Sequence, residues 1–473
     1  MQYNDGVIQS PLRPVTVALI LCTMTVAVYF SAMRGTFHYD DTLTIFENPH
    51  LADWNTFIGH LDHMVRPVLY ATFLIDRSLY GPDPANYHLL NLLLHLGAGL
   101  LMYCIFTRAV ADERSFVPFL TSLLFLIHPI ATETVTYISG RPTGLMTFFY
   151  LSALFLYIKA SEEFGTVFLR RFYLSGAVAC FLLAIGSKET AVTLPIILLL
   201  WDMQIRQLKG PNLRAEILIR HSPFWVVLLV AASWAWSHPR YTALAQFSFG
   251  IRPLWEHVMT QIHAVAYGTV LLFTPWNQNF DHDLPLFHSP TQWPLPLDLL
   301  VVAGSVAAAM LWSRRLPLVS FGLAWVFIQL LPTSVVPRND LLSERNLYLP
   351  AIGFHLASVA GASSVTQWLT KIQPPHLVRL GSTALVTVLA LVLCFFTYQR
   401  NLLYHDPLLL WSDAVKKSPN KARPHNNLGY AYALHGDWDR AIEEFRTAAR
   451  LDPAFILAQQ NLRDAYLRHV GRQ

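Results

Sequence analysis

The sequence predicts an all-α membrane protein with about eleven helical spans, in a range of about eleven to thirteen, followed by a short domain of helical repeats. Hydrophobic residues make up 53% of the 473 residues and charged residues only 14%, whereas soluble domains carry about 25% charged residues. The net charge of +4 is small, so nucleic acid is not expected as a partner. All four cysteines lie within apolar runs, which predicts neither a disulfide framework nor a CxxC metal site.

The first apolar run, Pro14 to Met33, contains no charged residue and is long enough to cross a bilayer. No small-residue cleavage pattern follows it, so we interpret it as an anchor helix. Asp40 and Asp41 come where the chain leaves the membrane. The long segment 34–87 that contains them is predicted to face outward and to pack on the membrane as short interfacial helices.

Further apolar runs fall at about 88–107, 115–135, 142–158, 172–186, 190–205, 222–237, 254–275, 297–312, 316–336, 347–368 and 380–398. Lys and Arg in alternate short loops mark the cytoplasmic side: Arg108, Arg114, Lys159, Arg170, Arg171, Arg206, Lys209, Arg214, Arg220, Arg314, Arg315, Lys371 and Arg379. The segment 206–220 is predicted to be cytoplasmic and the segment 276–296 to face outward, so an odd number of spans must connect them. Two apolar runs lie between these segments, and one of them is therefore expected not to cross the membrane. The run at 254–275 carries Glu256 and His263, so it is the one that we expect to lie at the interface or in the bundle interior.

The tail carries the markers of a tetratricopeptide repeat, whose period is about 34 residues. The matching residues are Leu428, Gly429, Tyr432, Ala441, Phe445, Ala448 and Pro453, and half repeats flank this full one. We therefore divide the chain into a membrane domain, 1–399, and a repeat domain, 400–473. A single repeat cannot bury its apolar face, so the domain must pack on the membrane part or on another chain. It is predicted to recognise a peptide or partner protein; the alternative is a packing module that caps the last span.

Polar residues also fall in other outward turns. Arg141, Lys188 and Arg345 are candidates to hold a phosphate, because guanidinium and ammonium groups suit that anion. Asp40 or Asp41 is the candidate to orient and deprotonate an attacking hydroxyl. Carboxylates and cations converging on one membrane face suit the transfer of a group from an anionic lipid carrier, whose phosphate leaves without a general acid.

A divalent metal is a weaker expectation. Asp281, His282, Asp283 and His288 lie close together in the outward segment 276–296, and carboxylate and imidazole groups are metal ligands. Their spacing is loose, so an ordinary interfacial loop is favoured over a metal site.

Along its length the chain resembles the TMTC family, transmembrane and tetratricopeptide-repeat proteins regarded as O-mannosyltransferases of the GT-C superfamily. The motifs are Tyr39-Asp40-Asp41, Arg66-Pro67-Val68, Tyr87 to Asn91 including His88, His128-Pro129 to Glu133, Gly140-Arg141, Ser187-Lys188-Glu189 and Glu344-Arg345 to Tyr348 and Pro350. The resemblance implies inversion at the sugar carbon and a polyprenyl-phosphate donor such as dolichyl phosphate mannose. It also implies Asp40 as the base, with Asp41 second, and supporting roles for Arg66, His88, His128, Glu133, Glu189, Glu344 and Tyr348. The protein O-mannosyltransferases use no metal, so none is assigned.

The chain departs from the animal members in its short repeat array. This predicts a bacterial relative in the cytoplasmic (inner) membrane, with the active site and repeats on the periplasmic or outer side. The favoured function is transfer of a sugar, with mannose first, from the lipid donor to a protein hydroxyl. The alternatives are a lipid or envelope-glycan acceptor, or a non-catalytic scaffold that recruits partners through the repeats. A transporter is disfavoured because the span pattern shows no internal repeat.

Overall fold

The computed structural model of the protein describes residues 13–110, 112, 115–162, 166–207 and 213–470. Within these ranges the regular structure is helical, without a β-strand. The α-helices are α1 (Pro14–Tyr29), α2 (Tyr39–Asp41), α3 (Trp54–Gly59), α4 (Pro67–Tyr80), α5 (Pro84–Phe106), α6 (Val117–Ile127), α7 (Thr132–Val135), α8 (Arg141–Glu162), α9 (Val167–Ser187), α10 (Leu194–Leu200), α11 (Leu213–Ser237), α12 (Pro239–Gly250), α13 (Leu254–Leu271), α14 (Leu295–Leu311), α15 (Pro317–Val335), α16 (Tyr348–Leu369), α17 (Pro375–Leu403), α18 (Pro407–Lys417), α19 (Ala422–Leu434), α20 (Trp438–Leu451) and α21 (Ile456–Val470). Arg114 and Lys209, two of the predicted cytoplasmic markers, lie outside the described residues.

Eight helical segments in the described chain are long and apolar enough to cross a membrane. They are Pro14–Arg34, Pro84–Phe106, Ile138–Glu162, Val167–Ser187, Ile217–Ser237, Pro317–Val335, Glu344–Leu369 and Pro375–Leu403. The bent pair Val117–Ile127 and Pro129–Val135, which turns by 54°, would be a ninth. The two other predicted spans fall on α14, of 17 residues, and on α10, of 7 residues. The predicted all-α membrane fold is therefore confirmed, while the count of eleven exceeds the eight or nine that helix length and composition support.

Prolines and side-chain caps fix where several helices begin. Pro67 and Pro84 stand in the first turns of α4 and α5, where a missing N–H leaves no helical hydrogen bond unmade. Asp83 caps α5, because its carboxylate accepts a hydrogen bond from the amide of Ala85 at 3.1 Å. These signals end the outward segment and start the second span.

The outward segment 34–87 folds into short helices, as predicted, around a small apolar core of its own. Ile45, Leu51 and Phe73 are fully buried in this core together with Tyr87 of α5. The loop is therefore a packed cover on one end of the bundle. We call that end the Asp40 face.

Helix α13 does not pass the length and hydropathy test that the eight spans pass, in agreement with the prediction for 254–275. Arg252, before the helix, donates to the carbonyl of Arg338 at 2.6 Å, and the carbonyl of Leu272, after it, accepts from the ring of His128, at the bend after α6, at 3.1 Å.

Helices α18 to α21 form the repeat domain. In the full repeat, α19 and α20 approach so closely that a Cβ on Gly429 would lie 2.8 Å from the Phe445 ring and 3.1 Å from the carbonyl of Ala441. This contact explains why the glycine, alanine and aromatic markers occur together. The domain packs against the Asp40 face through the segment around Phe280, which contacts Trp411 of α18.

Candidate active site

Asp41 is a buried structural carboxylate. Its Oδ2 accepts from the amide of His38 at 2.8 Å, and its Oδ1 accepts from the amide of Ser139 at 2.8 Å and from the Ser139 hydroxyl at 2.5 Å. Burial raises its pKa to about 7, although these hydrogen bonds oppose the rise. Asp41 therefore fastens the outward segment to the start of α8 and has no free face for a substrate.

Asp40 is exposed and keeps an open oxygen. Its Oδ2 accepts from the hydroxyl of Tyr137 at 2.8 Å, and its Oδ1 accepts no hydrogen bond from the residues that the structure describes. An oriented carboxylate with a free lone pair has the geometry of a general base. The arrangement favours Asp40 over Asp41 for that role, which stays a prediction.

Lys188 is buried and lines a small cleft together with Thr143, Arg345 and Asn346. Its Nζ donates to Thr143 Oγ1 at 2.9 Å and to Asn346 Oδ1 at 3.1 Å, and no carboxylate of the described chain lies within ion-pair distance of it. Burial lowers its pKa well below the ordinary value, and the charges of Arg66 and Arg345 lower it further. An anion in the cleft would restore the charged form.

Arg345 lines the same cleft and is held by Glu133. The Glu133 carboxylate accepts from the backbone amide of Arg345 at 3.0 Å and from the Ser343 hydroxyl at 2.8 Å, and it lies 3.5 Å from the Arg345 guanidinium. The Arg345 side chain is still 33% exposed. Its charge also acts on Tyr137, the partner of Asp40, because it opposes the rise in the Tyr137 pKa that burial and the Asp pair cause.

A second ion-pair group borders Lys188. Arg66 binds Glu189 through two hydrogen bonds, of 3.1 and 2.8 Å, and Arg338 lies 3.8 Å from the same carboxylate. Arg338 also lines a neighbouring cleft, which shares Asn346 with the first. One carboxylate thus serves two guanidinium groups, so the cleft region keeps an excess of positive charge.

Glu344 is enclosed and paired on both oxygens. Arg400 of α17 lies 2.7 Å from its Oε2, and the ring of His282 lies 2.8 Å from its Oε1. The amide of Asn279 also donates to Oε1, at 2.6 Å. Glu344 directly precedes Arg345, so these contacts connect the segment that contains Arg345 to the last span and to the loop after α13.

The structure does not favour the prediction that Arg141 binds the donor phosphate, which stays a prediction. Its side chain is fully buried and lies 2.6 Å from the Asp76 carboxylate, and it donates to Asn91 Oδ1 at 2.9 Å and to the carbonyl of Tyr87 at 3.1 Å. A guanidinium whose donors are taken up by buried partners cannot also grip a ligand. Arg141 joins α8 to α4 and α5 beneath the outward segment.

Three of the predicted supporting residues are structural and do not line the clefts. Tyr348 donates its hydroxyl to His95 Nδ1 at 2.7 Å inside the bundle. His128 accepts from the amide of Ile130 at 3.1 Å and so caps the bend after α6. His88 is buried in α5, with 2% of its surface exposed.

The four weak metal candidates do not converge. Asp281 pairs with cations of the repeat domain, His282 with Glu344, and His288 with Glu256 at 3.1 Å. Nowhere in the described ranges do three His, Cys, Asp or Glu side chains form a group that could hold a metal. The expectation of a metal-free reaction stays a prediction.

Several residues of the site were not singled out from the sequence. Tyr137 stands two residues before Ser139, and Asn346 directly follows Arg345. Arg338 lies shortly before Arg345 in the chain. The only sequence signal for these three residues was their position next to predicted site residues. Arg400 gave a stronger one, since an arginine in the last turn of an apolar span is costly unless paired.

Comparisons with known proteins agree with this organisation. Residues 422–455 match the family described as Tetratricopeptide repeat, which confirms the predicted repeat. Similar proteins include protein O-mannosyl-transferase F38B6.6 of Caenorhabditis elegans, 25% identical over 92% of this chain and 63% of its own length. Protein O-mannosyl-transferase TMTC1 of Homo sapiens is 25% identical over 95% of this chain and 57% of its own length. Tmtc3 of Drosophila melanogaster is 24% identical over 97% and 58%.

This chain therefore spans 57–63% of the length of these curated relatives. The relatives are animal proteins, so the comparisons do not support the predicted bacterial source. No solved structure matches the chain. The resemblance that the motifs predicted is confirmed: the chain is similar, over 92% or more of its length, to protein O-mannosyl-transferases of the TMTC family.

Proposed function

We propose that this chain is a membrane glycosyltransferase that moves a sugar from a polyprenyl-phosphate donor to a hydroxyl of a protein. One observation supports the proposal: Asp40 has an oxygen that accepts no hydrogen bond in the described chain, and its partner Tyr137 is acted on by the charge of Arg345. Arg345 lines the same cleft as Lys188, which has no carboxylate partner among the described residues. The names of the relatives favour mannose and a protein acceptor.

In the proposed reaction the acceptor oxygen attacks the first carbon of the sugar from the face opposite the phosphate, so the configuration inverts. Asp40 accepts the hydroxyl proton as the new bond forms. The bond from that carbon to the phosphate oxygen breaks, and the polyprenyl phosphate leaves as an anion. Lys188 and Arg345 stabilise that departing charge, which develops in a partly enclosed cleft.

The distribution of charge supports the orientation that we propose. The basic loops that mark the cytoplasmic side, among them Arg170 and Arg315, lie at ends of helices remote from Asp40. We therefore place the Asp40 face and the repeat domain on the extracytoplasmic side. The repeats, which pack on the same face, are suitably placed to present a protein segment to the cleft.

The test is sugar transfer by the purified full chain in lipid vesicles, with labelled polyprenyl phosphate mannose as donor and a pool of Ser- and Thr-containing peptides as acceptor. Wild type is compared with Asp40→Asn. We expect wild type to label peptides and the variant to lose at least about 100-fold in rate while still binding the donor, because only the proton acceptor is removed.

Each other result has a definite meaning. If the label appears in lipid or glycan and not in peptide, the acceptor is a lipid or an envelope glycan and not a protein. Donor binding with equal turnover in both proteins would remove Asp40 from its role. If wild type neither binds nor turns over the donor, the scaffold function becomes the better one.

A further inference from the structure

Residues 278–283, which we call the bridging segment, lie between the repeat domain and the membrane bundle. Although the segment has no regular structure, most of its polar side chains are buried: Asn279 and Asp281 are 3% exposed and His282 is 7% exposed, whereas Asp283 is exposed. Burying such groups is costly unless they are hydrogen-bonded or paired. Their partners therefore show what the segment holds together.

The repeat domain grips the bridging segment through Asp281. Arg423, in the first turn of α19, binds both carboxylate oxygens of Asp281, at 2.6 and 2.5 Å, and also pairs with Asp340 at 2.7 Å. Lys421 donates to the same carboxylate at 2.6 Å, and the hydroxyl of Ser418 donates to the backbone carbonyl of Asp281 at 2.7 Å. Two cations on one buried carboxylate, with a bidentate guanidinium, form a directional contact rather than a loose surface pair.

One side of the segment reaches the candidate base. The ring of Phe280 packs edge-to-face on Trp411 of α18, with centroids 5.2 Å apart, and on Tyr137, with centroids 5.4 Å apart. Tyr137 in turn donates to Asp40. A continuous set of contacts thus leads from the first repeat helix to the carboxylate.

The other side reaches the candidate phosphate site. His282 lies 2.8 Å from Glu344, and the amide of Asn279 donates to the same carboxylate oxygen. Glu344 directly precedes Arg345, whose guanidinium lines the cleft. Phe280 and His282 flank Asp281, so a shift of the gripped residue would move both sets of contacts.

We propose that the bridging segment is a positioning element, through which the seating of the repeat domain sets the geometry of Asp40 relative to Arg345. The proposal rests on the proposed transferase function. The repeat domain then has a role beyond acceptor recognition, because transfer to any acceptor depends on its grip on Asp281. Displacements of about 1 Å at a reacting group can cost about 100-fold in rate, so a modest loosening is measurable.

The experiment compares the full chain with Arg423→Gln and Arg423→Lys in vesicles, with polyprenyl phosphate mannose as donor and a fixed short Ser/Thr peptide as acceptor. We expect Arg423→Gln to lower kcat by about tenfold and to leave the donor KM within about twofold, since alignment and not binding is lost. Arg423→Lys keeps an ion pair with Asp281 and should recover most of the rate. The matched control is Arg440→Gln, which changes an exposed arginine of the same repeat whose contacts, with Asp437 and with the ring of Tyr432, stay within that repeat.

An unchanged kcat in folded Arg423→Gln would overturn the positioning proposal while leaving the transferase function intact. Equal losses in Arg423→Gln and Arg440→Gln would do the same, because they would indicate general weakening of the repeat. A double-mutant cycle with Phe280→Leu and Tyr137→Phe tests the proposal at residues outside the ion pair. If Phe280 acts on Asp40 through Tyr137, the effects of the two changes on kcat should be non-additive.

If wild type transfers no mannose, the function fails first, and backbone hydrogen exchange then tests the positioning separately. Arg423→Gln should accelerate exchange at residues 137–141 and 343–347, while Arg440→Gln should not. If exchange accelerates only in the repeat domain and in residues 278–283, the contacts of Asp281 do not affect the candidate active site, and the positioning proposal is overturned.

Discussion

The hydroxyl of Tyr137 donates a hydrogen bond of 2.8 Å to Oδ2 of Asp40. The neighbouring carboxylate, Asp41, is enclosed by backbone and hydroxyl donors. The two adjacent acids thus differ, since Asp41 holds the segment 34–87 in place and Asp40 keeps an oxygen that accepts no hydrogen bond from the described residues. Four predictions follow from this division and from the pairing of the surrounding charges.

Tyr137→Phe should slow transfer without unfolding the protein. The change removes one hydrogen bond to a charged group, which is worth about 1.5–3 kcal/mol, so we expect kcat/KM to fall by roughly tenfold or more. The measurement is the transfer rate, with Tyr398→Phe as a control because Tyr398 is exposed on α17. An unchanged rate would mean that Asp40 is oriented without the phenol.

Asp41→Asn should change how stability depends on pH. The pKa of Asp41 is raised from an ordinary value of 3.8 to about 7, so between these pH values the folded protein holds a proton that the unfolded chain has released. Wild-type stability therefore falls as pH rises through this window. The Asn side chain does not titrate, so the stability of the variant lacks this dependence on pH. The variant is also less stable by about 1 kcal/mol, because the hydrogen bond from the His38 amide is lost.

The measurement is the melting temperature of both proteins in detergent at pH 5 and pH 8. We expect the advantage of wild type over Asp41→Asn to be larger at pH 5 and to shrink or reverse at pH 8. A constant difference would show that Asp41 does not titrate in this range.

Lys188→Met should weaken donor binding. Removal of a charge-assisted contact to the phosphate costs about 1.5–3 kcal/mol, which corresponds to roughly tenfold or more in Kd. Burial lowers the Lys188 pKa. The affinity of wild type for the phosphodiester should therefore fall as the pH rises through that lowered pKa, because the ammonium group loses its charge. The affinity of Lys188→Met should not show this decrease. Binding of polyprenyl phosphate mannose is measured in nanodiscs, with the exposed Lys371→Met as control. Equal affinity of Lys188→Met and wild type would exclude Lys188 from the phosphate site.

Arg141→Met should destabilise the fold by about 3–5 kcal/mol, because it leaves the buried Asp76 carboxylate without its partner. The double variant Arg141→Met with Asp76→Leu removes both charges and should recover most of the folded yield and melting temperature. If the double variant is folded, it should also bind the donor as wild type does. Loss of donor affinity in that folded variant would return Arg141 to the list of phosphate ligands.

The sequence carried more information about elements than about pairing. Apolar runs separated by polar turns predicted most of the long helices, because this signal lies within each segment of the chain. The repeat markers predicted α19 and α20 for the same reason. The span count was less secure, since α10 and α14 are apolar but short.

By itself, then, the sequence determined a helical membrane protein with a tetratricopeptide repeat and with charged residues in the turns between its apolar segments. Only the tertiary structure decided which charges are free. It paired Arg141 with Asp76, enclosed Asp41, left Lys188 without a carboxylate in the described chain, and placed Asp281 in the grip of Arg423. The physical reason is that spacing along the chain fixes neighbours on one helix or turn, whereas ion pairs between turns depend on how distant helices pack.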